Sequence, residues 1–208
     1  MIKNIIFDLG GVIFKTNWQK GADLFNKSIK QFKKITRTNR QKYYDNYCKG
    51  TISFNEYANF ALKQLKVKIN EENKQLFKQS LQIFESPDPN VIEIIKKIKP
   101  EILLAVLSNS YNILVQYLET NKNSPQGIHK YFHSNIFLSS QIKAIKQSTK
   151  VYKYVIQKLD INPSETLMID NKEEYLLNAK LTKINTFLYH DPEQLESYLK
   201  DLDLLNVL

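Results

Sequence analysis

The stretch Asn4-Ile-Ile-Phe-Asp-Leu-Gly-Gly-Val-Ile-Phe14 decides the fold that this sequence predicts. Residues 5–7 form an apolar run that is too short for a helix and is typical of a buried parallel strand. Asp8 ends the run, and Gly10 and Gly11 follow at once. Because burying a lone carboxylate is costly, Asp8 should lie at the carboxyl end of the strand, where open α/β sheets bind ligands. On this stretch alone, Asp8 could equally be a turn or cap residue.

The chain after residue 87 alternates between short apolar strands and helices. The pattern predicts strands over 102–107, 136–138, 166–169 and 186–189. It predicts helices over 90–98, 111–120, 151–159 and 172–181, and a last helix from Pro192. A loop is predicted through Pro125 and Gly127. Alternation of this kind indicates an α/β fold, a Rossmann-like doubly wound parallel sheet with helices on both faces. This context favours a crevice-facing role for Asp8.

Residues 15–86 are predicted to be wholly helical, with no strand among them. An apolar stripe through Leu24, Phe25, Ile29 and Phe32 predicts one helix, and Ser53 with Glu56 forms a capping box that starts a second. A third is predicted over 71–84. Ser86-Pro-Asp-Pro89 is the natural boundary, with Asp88 as N-cap. We therefore expect a core domain of residues 1–14 and 87–208, with residues 15–86 inserted as a helical cap subdomain.

Composition excludes several classes of protein. Apolar residues make up 42% of the chain and charged residues 25%, which suits a packed globular core. Cys48 is the single cysteine, which excludes a disulfide framework and a multi-cysteine zinc site. The first 14 residues lack the basic leader and cleavage site of a signal peptide, and no apolar run is long enough to span a membrane. We expect a soluble cytoplasmic protein.

The net charge of +9 is unevenly distributed. Residues 15–50 carry ten Lys or Arg against two Asp, a local balance of +8, while residues 191–208 are acidic. Arg37 and Arg40 are the only arginines, so the basic charge comes almost entirely from lysine, which is a point charge and does not read bases in a bidentate way. A solvated surface is the simplest explanation of most of this charge.

Polar residues follow each strand of the alternating half. Asp8 follows the first, Ser108-Asn109 the second, and Asp170-Asn171 a later one, while Lys146 precedes the helix near residue 151. The carboxyl ends of parallel strands meet at one edge of a sheet, so these groups should converge. A carboxylate nucleophile, a hydroxyl, a cation and a second carboxylate suit phosphoryl transfer through a covalent aspartyl intermediate.

These segments resemble the four motifs of the haloacid dehalogenase-like hydrolase superfamily. The matching stretches are Phe-Asp-Leu-Gly-Gly-Val at 7–12, Leu-Ser-Asn-Ser at 107–110, Leu-Ser-Ser-Gln-Ile at 138–142 followed by Lys146, and Pro-Ser-Glu-Thr-Leu-Met-Ile-Asp at 163–170. Residues 15–86 look like the family's helical cap, and 50–57 are similar to a stretch common in such caps. The resemblance covers essentially the whole chain and implies a phosphatase of a small phosphorylated metabolite.

The resemblance also implies a role for each matched residue. Asp8 would attack phosphorus, and Asp8, the Gly10 carbonyl and Asp170 would hold Mg²⁺, a cation that prefers oxygen ligands. Ser108 would hold a phosphoryl oxygen, and Lys146 would neutralise charge between the phosphate and Asp8. Backbone and side-chain groups of Gly10, Gly11 and Asn109 would contact the substrate.

Three positions depart from the family pattern. Gly10 stands where most phosphatases of the family have a second aspartate, which implies slower general acid–base catalysis. Asn171 stands where the fourth motif commonly has another aspartate, and as a predicted metal ligand its amide would bind the cation without contributing charge. Glu174, one turn after Asp170, could supply the missing carboxylate or be a solvated helix residue. Gln147 replaces a usual proline. Some relatives with Asp-Leu-Gly in the first motif are similar in sequence to working sugar-phosphate phosphatases, so the Gly10 change alone does not imply inactivity. The three departures together predict weakened or lost activity.

Two other functions remain open from the sequence. A catalytically degenerate member could bind an anionic partner through its basic cap, although the lysine-rich charge and the lack of a recognised module argue against nucleic acid. A metal-free dehalogenase would use Asp8 to attack carbon, but the arginine that those relatives have after the nucleophile loop is missing from residues 9–36. The substrate's identity and the oligomeric state cannot be predicted from this sequence.

Overall fold

A five-stranded parallel sheet forms the centre of the computed structural model, which describes residues 1–36, 39, 42–82, 84–124 and 127–206. Its strands are β1 (Asn4–Phe7), β4 (Leu103–Ser108), β5 (Ile136–Leu138), β6 (Thr166–Asp170) and β7 (Asn185–Leu188), in the order β5-β4-β1-β6-β7. All neighbouring pairs are parallel. The predicted α/β class is confirmed, and the first strand lies at the middle of the sheet.

The two faces of the sheet bury different side chains of the same strands. Ile5 and Phe7 of β1 belong to one hydrophobic cluster, while Ile6 between them belongs to the cluster on the opposite face. Successive strand residues point to opposite faces, so an uninterrupted apolar run fits a strand that is covered on both sides. The continuous run in the sequence therefore predicted the central strand correctly.

Helices cover both faces of this sheet. They are α6 (Pro89–Lys97), α7 (Asn112–Thr120), α8 (His129–Phe132), α9 (Ser139–Ile142), α10 (Thr149–Leu159), α11 (Glu173–Lys180) and α12 (Pro192–Asp201). Asp88 caps α6 by accepting a hydrogen bond from the Asn90 amide, with Pro89 at the first helical position, as predicted. The short helices α8 and α9 were not predicted, because one helical turn leaves no periodic signal.

The inserted helices are α1 (Trp18–Asp23), α2 (Ile29–Thr36), α3 (Tyr44–Cys48), α4 (Phe54–Leu65) and α5 (Glu71–Ser80). They bury a hydrophobic cluster of their own, which also includes Tyr111, Ile113 and Ile145 from the sheet half of the chain. The capping box of Ser53 and Glu56 begins α4 as predicted. The Tyr111 hydroxyl donates to the Leu81 carbonyl at 2.8 Å, so the inserted helices pack directly against the sheet domain.

The prediction that residues 15–86 contain no strand is wrong. The strand β2 (Phe14–Thr16) pairs antiparallel with β3 (Phe84–Pro87), and the two form a separate ribbon. The predicted helix over 71–84 accordingly ends earlier, at Ser80. An inserted segment must leave and rejoin the sheet domain at neighbouring points, so its two connecting strands lie side by side and pair.

The predicted helix through Leu24 and Phe32 is also wrong, because the chain breaks it into α1 and α2. Asn26, between them, has a left-handed φ of 51°, which a continuous right-handed helix cannot contain. The apolar stripe still faces one cluster, since Phe25 and Phe32 stack with ring centroids 6.1 Å apart. The apolar residues on the two sides of the turn therefore have the spacing of one continuous helix, because they pack into the same cluster.

Some predictions concern residues outside the described part of the chain. Arg37, Arg40 and Pro125 are among them. In the described part, no helix combines the length and the apolar character that crossing a membrane requires.

Candidate active site

Three neighbouring strands deliver polar side chains to one edge of the sheet. Asp8 follows β1, Ser108 ends β4 and Asp170 ends β6. Phe7 of β1 lies opposite Val106 on one side and Ile169 on the other, so the strands end nearly level. The topology therefore places residues that are far apart in sequence beside one another.

Lys146 links the two aspartates. Its Nζ lies 2.6 Å from Asp8 Oδ1 and 2.6 Å from Asp170 Oδ2, and the side chain is fully buried. Two carboxylates that bind one ammonium group must themselves be close neighbours. Asp8 Oδ2 has no hydrogen-bond partner among the described residues, so this oxygen is available for chemistry.

The charges of this triad depend on one another. Burial by itself would lower the pKa of Lys146, but the carboxylates of Asp170 and Asp8 outweigh burial and raise that pKa above its ordinary value. Burial raises the pKa of Asp170, and the nearby Asp8 charge adds to this, while Lys146 opposes it. Lys146 therefore offsets part of the effect of burial on the pKa of Asp170, and that pKa still lies above its ordinary value.

The backbone of Lys146 is fixed by side chains from two other elements. The Asn109 side chain accepts from the Lys146 amide at 2.8 Å, and the Tyr152 hydroxyl donates to the Lys146 carbonyl at 3.3 Å. Asn109 also donates to Gln147 Oε1 at 2.9 Å, and Gln147 Nε2 lies 3.4 Å from the Tyr175 hydroxyl. Gln147, which departs from the family pattern, thus connects the loop after β4 with α11.

A cavity of about 230 Å³ opens above the aspartates. Asp8 forms part of its wall, whereas Lys146 and Asp170 lie beneath it. The wall also contains Gly10, Thr16, Trp18, Lys33, Tyr44, Ser108, Asn109, Tyr111, Asn171, Lys172 and Tyr175. The predicted residues at 8, 10, 108, 109 and 171 therefore share one cavity.

Several wall residues were not predicted. Lys172 and Tyr175 follow Asp170 within about a helical turn, so the fourth motif itself was a signal that could have suggested them. Trp18, Lys33 and Tyr44 come from the inserted helices, and Lys33 Nζ lies 4.9 Å from the centroid of the Trp18 ring. Their positions depend on how these helices pack on the sheet, and no local pattern indicates that.

Gly11 and Glu174 are predicted site residues that do not line the cavity. Gly11 has a φ of +85°, and a Cβ placed there would lie only 2.2 Å from Asn171 Nδ2. A glycine is needed at this turn because the amide of Asn171 packs against its backbone. Glu174 is exposed in the first turn of α11 and is not part of the cavity wall. The metal roles of Asn171 and Glu174 remain predictions.

The oxygen atoms at this edge suit a hard cation. Asp8 and Asp170 supply two carboxylates, and Gly10 lines the same cavity, which matches the donors that Mg²⁺ prefers. In the described residues, no three His, Cys, Asp or Glu side chains gather at one point. A metal bound here would therefore rely on the two aspartates together with carbonyl, amide or water oxygens.

A larger cavity, of about 450 Å³, lies between the inserted helices and α7. Lys20 and Lys78 line it, together with Tyr117 and several apolar and amide side chains, but its wall has no carboxylate. It offers neither a nucleophile nor a metal ligand. The smaller cavity is therefore the candidate active site.

The order of the motifs along the chain agrees with a known family. A family profile described as "haloacid dehalogenase-like hydrolase" matches residues 2–174. This chain belongs to the haloacid dehalogenase-like hydrolase family. The matched region runs from the start of β1 into α11, so it includes every element that contributes to the aspartate–lysine triad.

Similar proteins include both a characterised enzyme and solved structures. A D-ribitol-5-phosphate phosphatase of Bacteroides thetaiotaomicron is 25% identical over 99% of this chain and 98% of its own length. A predicted hydrolase of this family from Porphyromonas gingivalis has a TM-score of 0.75 at 20% identity, covering 99% and 100% of the two chains. A family enzyme from B. thetaiotaomicron, solved with magnesium and inorganic phosphate, has a TM-score of 0.69 at 21% identity, covering 94% and 99%. These structures support the fold of this family member.

Ser139 connects the inserted helices to the active-site loop. Its Oγ accepts from the Ser110 amide at 2.8 Å and lies 2.7 Å from the Cys48 carbonyl, in a fully buried position. Ser110 belongs to the loop that carries Ser108 and Asn109. The hydroxyl therefore holds α3 against the loop that forms one wall of the cavity.

Replacing Ser139 by alanine is expected to destabilise the protein by about 1–3 kcal/mol, because the Ser110 amide and the Cys48 carbonyl would stay buried without their partner. Urea denaturation measures the loss. Ser140→Ala is a matched control, since its buried hydroxyl has no hydrogen-bond partner among the described residues. We expect this control to change stability by less than about 0.5 kcal/mol, and equal losses in both variants would contradict the role of Ser139.

Proposed function

We propose that this member of the family is a Mg²⁺-dependent phosphatase that acts on a small phosphorylated metabolite through an aspartyl-phosphate on Asp8. The observation that supports this most strongly is the pair of aspartates at neighbouring strand ends, each 2.6 Å from Lys146 Nζ, of which Asp8 lines a small cavity. A relative of nearly the same length is a sugar-alcohol phosphate phosphatase, which agrees with this reaction class.

Asp8 performs the covalent step in this mechanism. One of its carboxylate oxygens forms a bond to phosphorus while the bond from phosphorus to the leaving oxygen breaks. The Ser108 hydroxyl at the cavity wall donates to a phosphoryl oxygen, and Lys146 beneath the floor offsets the negative charge that accumulates. Water then attacks the phosphorus, which releases inorganic phosphate and regenerates the Asp8 carboxylate.

Asp8, Asp170 and the Gly10 carbonyl would hold the magnesium ion. When bound, Mg²⁺ supplies positive charge that polarises the phosphoryl group. Asp170 suits a ligand role because its position is fixed: Oδ2 accepts from Lys146, and Oδ1 accepts from the Lys172 amide at 2.9 Å. These hydrogen bonds orient the carboxylate before any ion binds.

The cavity restricts what the substrate can be. Ligand pockets for drug-sized molecules usually have volumes of about 300–1,000 Å³. At about 230 Å³, this one suits a phosphate group joined to a few carbon atoms. Lys33 and Lys172 in its wall favour an anionic ligand, because positive side chains in a cleft raise the local concentration of anions.

Release of phosphate from a panel of small phosphoesters tests the proposal. We expect turnover in the presence of Mg²⁺, its loss in EDTA, and its recovery when Mg²⁺ is restored. Asp170→Asn should raise the Mg²⁺ concentration needed for half-maximal activity by at least about tenfold, because one ligand charge is lost. Glu174→Gln in parallel tests the other predicted carboxylate ligand. Turnover that is unaffected by EDTA, or none on any ester, would contradict the proposal.

A further inference from the structure

The wall of the active-site cavity offers a nucleophile but no acid to protonate a leaving group. Among the described residues that line it, Asp8 is the one carboxylate, and no histidine is present. Asp8 cannot serve as that acid, because its carboxylate must attack phosphorus. The side chain of Gly10, two residues later in the same wall, is a hydrogen atom and cannot supply a proton.

Asp170 is not placed to act as the missing general acid. Its side chain is fully buried below the cavity, and both of its oxygens already accept hydrogen bonds, from Lys146 and from the Lys172 amide. A proton donor must reach the leaving oxygen directly or through one water molecule. Asp170 is therefore not placed to transfer a proton to the leaving oxygen.

The other ionisable groups in the wall are lysines and tyrosines. Groups of these types ordinarily have pKa values of about 10, so near neutral pH they are weak proton donors. General acid catalysis is most effective when the pKa of the donor lies near the working pH. Lys33 and Lys172 can instead stabilise negative charge on a leaving group by electrostatic attraction.

From this arrangement we infer that the site acts on phosphoryl groups attached to oxygens that leave readily as anions, with acyl phosphates as the metabolite class. The inference rests on the proposed phosphatase function. In the first step, the Asp8 oxygen bonds to phosphorus and the leaving oxygen departs with the electron pair, as a carboxylate that needs no proton. An alkyl phosphate would have to release an alkoxide, which is far less stable in water.

The second step should also be slow. Water must lose a proton as it attacks the aspartyl-phosphate, and the wall has no second carboxylate to accept it. With a good leaving group, the first step outpaces the second, so the phosphorylated enzyme accumulates. This predicts a burst of leaving-group release that approaches one equivalent per active site, followed by a slower steady rate.

The test compares kcat/KM for three kinds of substrate under one buffer and Mg²⁺ concentration. They are acetyl phosphate, a series of aryl phosphates from phenyl to 4-nitrophenyl, and D-ribitol 5-phosphate as the alkyl ester. We expect acetyl phosphate to exceed the alkyl ester by at least about 10²-fold, since an absent general acid typically costs about 10²–10⁴-fold. Rates in the aryl series should fall steeply as the pKa of the phenol rises.

The variants Gly10→Asp and Gly10→Asn introduce side chains of nearly the same size, but only the first has a carboxyl group. Comparing them separates the effect of a proton donor from the effect of side-chain size. Gly11 and Gly50 are the glycines with positive φ among the described residues, so Gly10 has a backbone conformation open to either side chain. Gly10→Asp should raise kcat/KM for D-ribitol 5-phosphate by about 10- to 100-fold and remove the burst. The ratio of kcat/KM for D-ribitol 5-phosphate to that for acetyl phosphate should therefore rise in Gly10→Asp and not in Gly10→Asn, which adds no acid group.

The possible failures are distinguishable. Equal rates for the acyl and alkyl substrates, or a flat aryl series, would overturn this inference without any variant and leave the phosphatase function intact. Equal effects of Gly10→Asp and Gly10→Asn would also overturn it. Absence of turnover on every substrate, or turnover that survives Asp8→Asn, would remove the phosphatase function and this inference together.

Discussion

Asp8→Asn is expected to reduce Mg²⁺-dependent phosphate release by at least about 10³-fold, because the amide keeps the shape of the side chain but is a very poor nucleophile. The substituted side chain can retain a hydrogen bond from Lys146, so the fold should be preserved. Steady-state assays measure the loss, and mass spectrometry of quenched enzyme should show a covalent phosphate on the native protein only.

Asp88→Asn provides the control for that experiment. Asp88 is also a buried aspartate, but it caps α6 and does not line the cavity. Asparagine is as good an N-cap as aspartate, so activity should stay within about twofold of the native value. If Asp8→Asn kept more than a tenth of native activity, or if both variants lost it equally, Asp8 would not be the nucleophile.

Lys146→Met is expected to destabilise the fold by about 3–5 kcal/mol at neutral pH and to abolish activity. Removal of the ammonium group leaves Asp8 and Asp170 facing each other, buried and both negative. Methionine fills much of the same volume, so the loss reflects charge more than packing. Urea denaturation, compared with the native protein, measures the change in the free energy of unfolding.

The pH dependence of this variant has a definite sign. Without the cation, burial and mutual repulsion raise the pKa of one carboxylate in the folded state above its value in the unfolded chain. A raised folded pKa means that stability is lost as pH increases. The deficit of Lys146→Met should therefore be larger at pH 8 than at pH 5, where one carboxylate can take up a proton.

A second substitution provides the control for Lys146. Asp170→Asn in the Lys146→Met background removes one of the two facing charges, so we expect it to recover a large part of the lost stability. Asp170→Asn alone leaves Lys146 paired with Asp8 and should cost less than Lys146→Met. If neither low pH nor Asp170→Asn recovered the stability that Lys146→Met loses, packing and not charge would account for the loss.

Most of the central sheet was predictable from short apolar runs. The prediction for β5 is correct to the residue, and those for β1, β4, β6 and β7 are correct to within one residue at either end. Errors occurred where tertiary contacts outweigh local pattern. The β2–β3 ribbon joins strands that lie some seventy residues apart, and the turn at Asn26 interrupts an apolar stripe that looks continuous in the sequence.

The candidate site likewise contains residues that the sequence indicated and residues that it did not. Asp8, Ser108, Lys146 and Asp170 could be named because each lies next to an identifiable strand or motif. Trp18, Lys33 and Tyr44 could not, because they come from helices whose orientation over the sheet depends on packing around Tyr111 and Ile145. The sequence indicated Gln147 only as a departure from the family pattern. In the structure its side chain accepts a hydrogen bond from Asn109 and lies near the Tyr175 hydroxyl.

The sequence by itself determined the five strands of the parallel sheet, the family, and the chemical types of the groups at the strand ends. These properties follow from local patterns, because a short apolar run or an N-cap acts on its immediate neighbours along the chain. Only the tertiary structure decided that one buried ammonium bridges both aspartates and that a single carboxylate lines the cavity. Such facts depend on distances between residues that lie 24 and 138 positions apart in the two contacts of Lys146, and tertiary packing sets those distances.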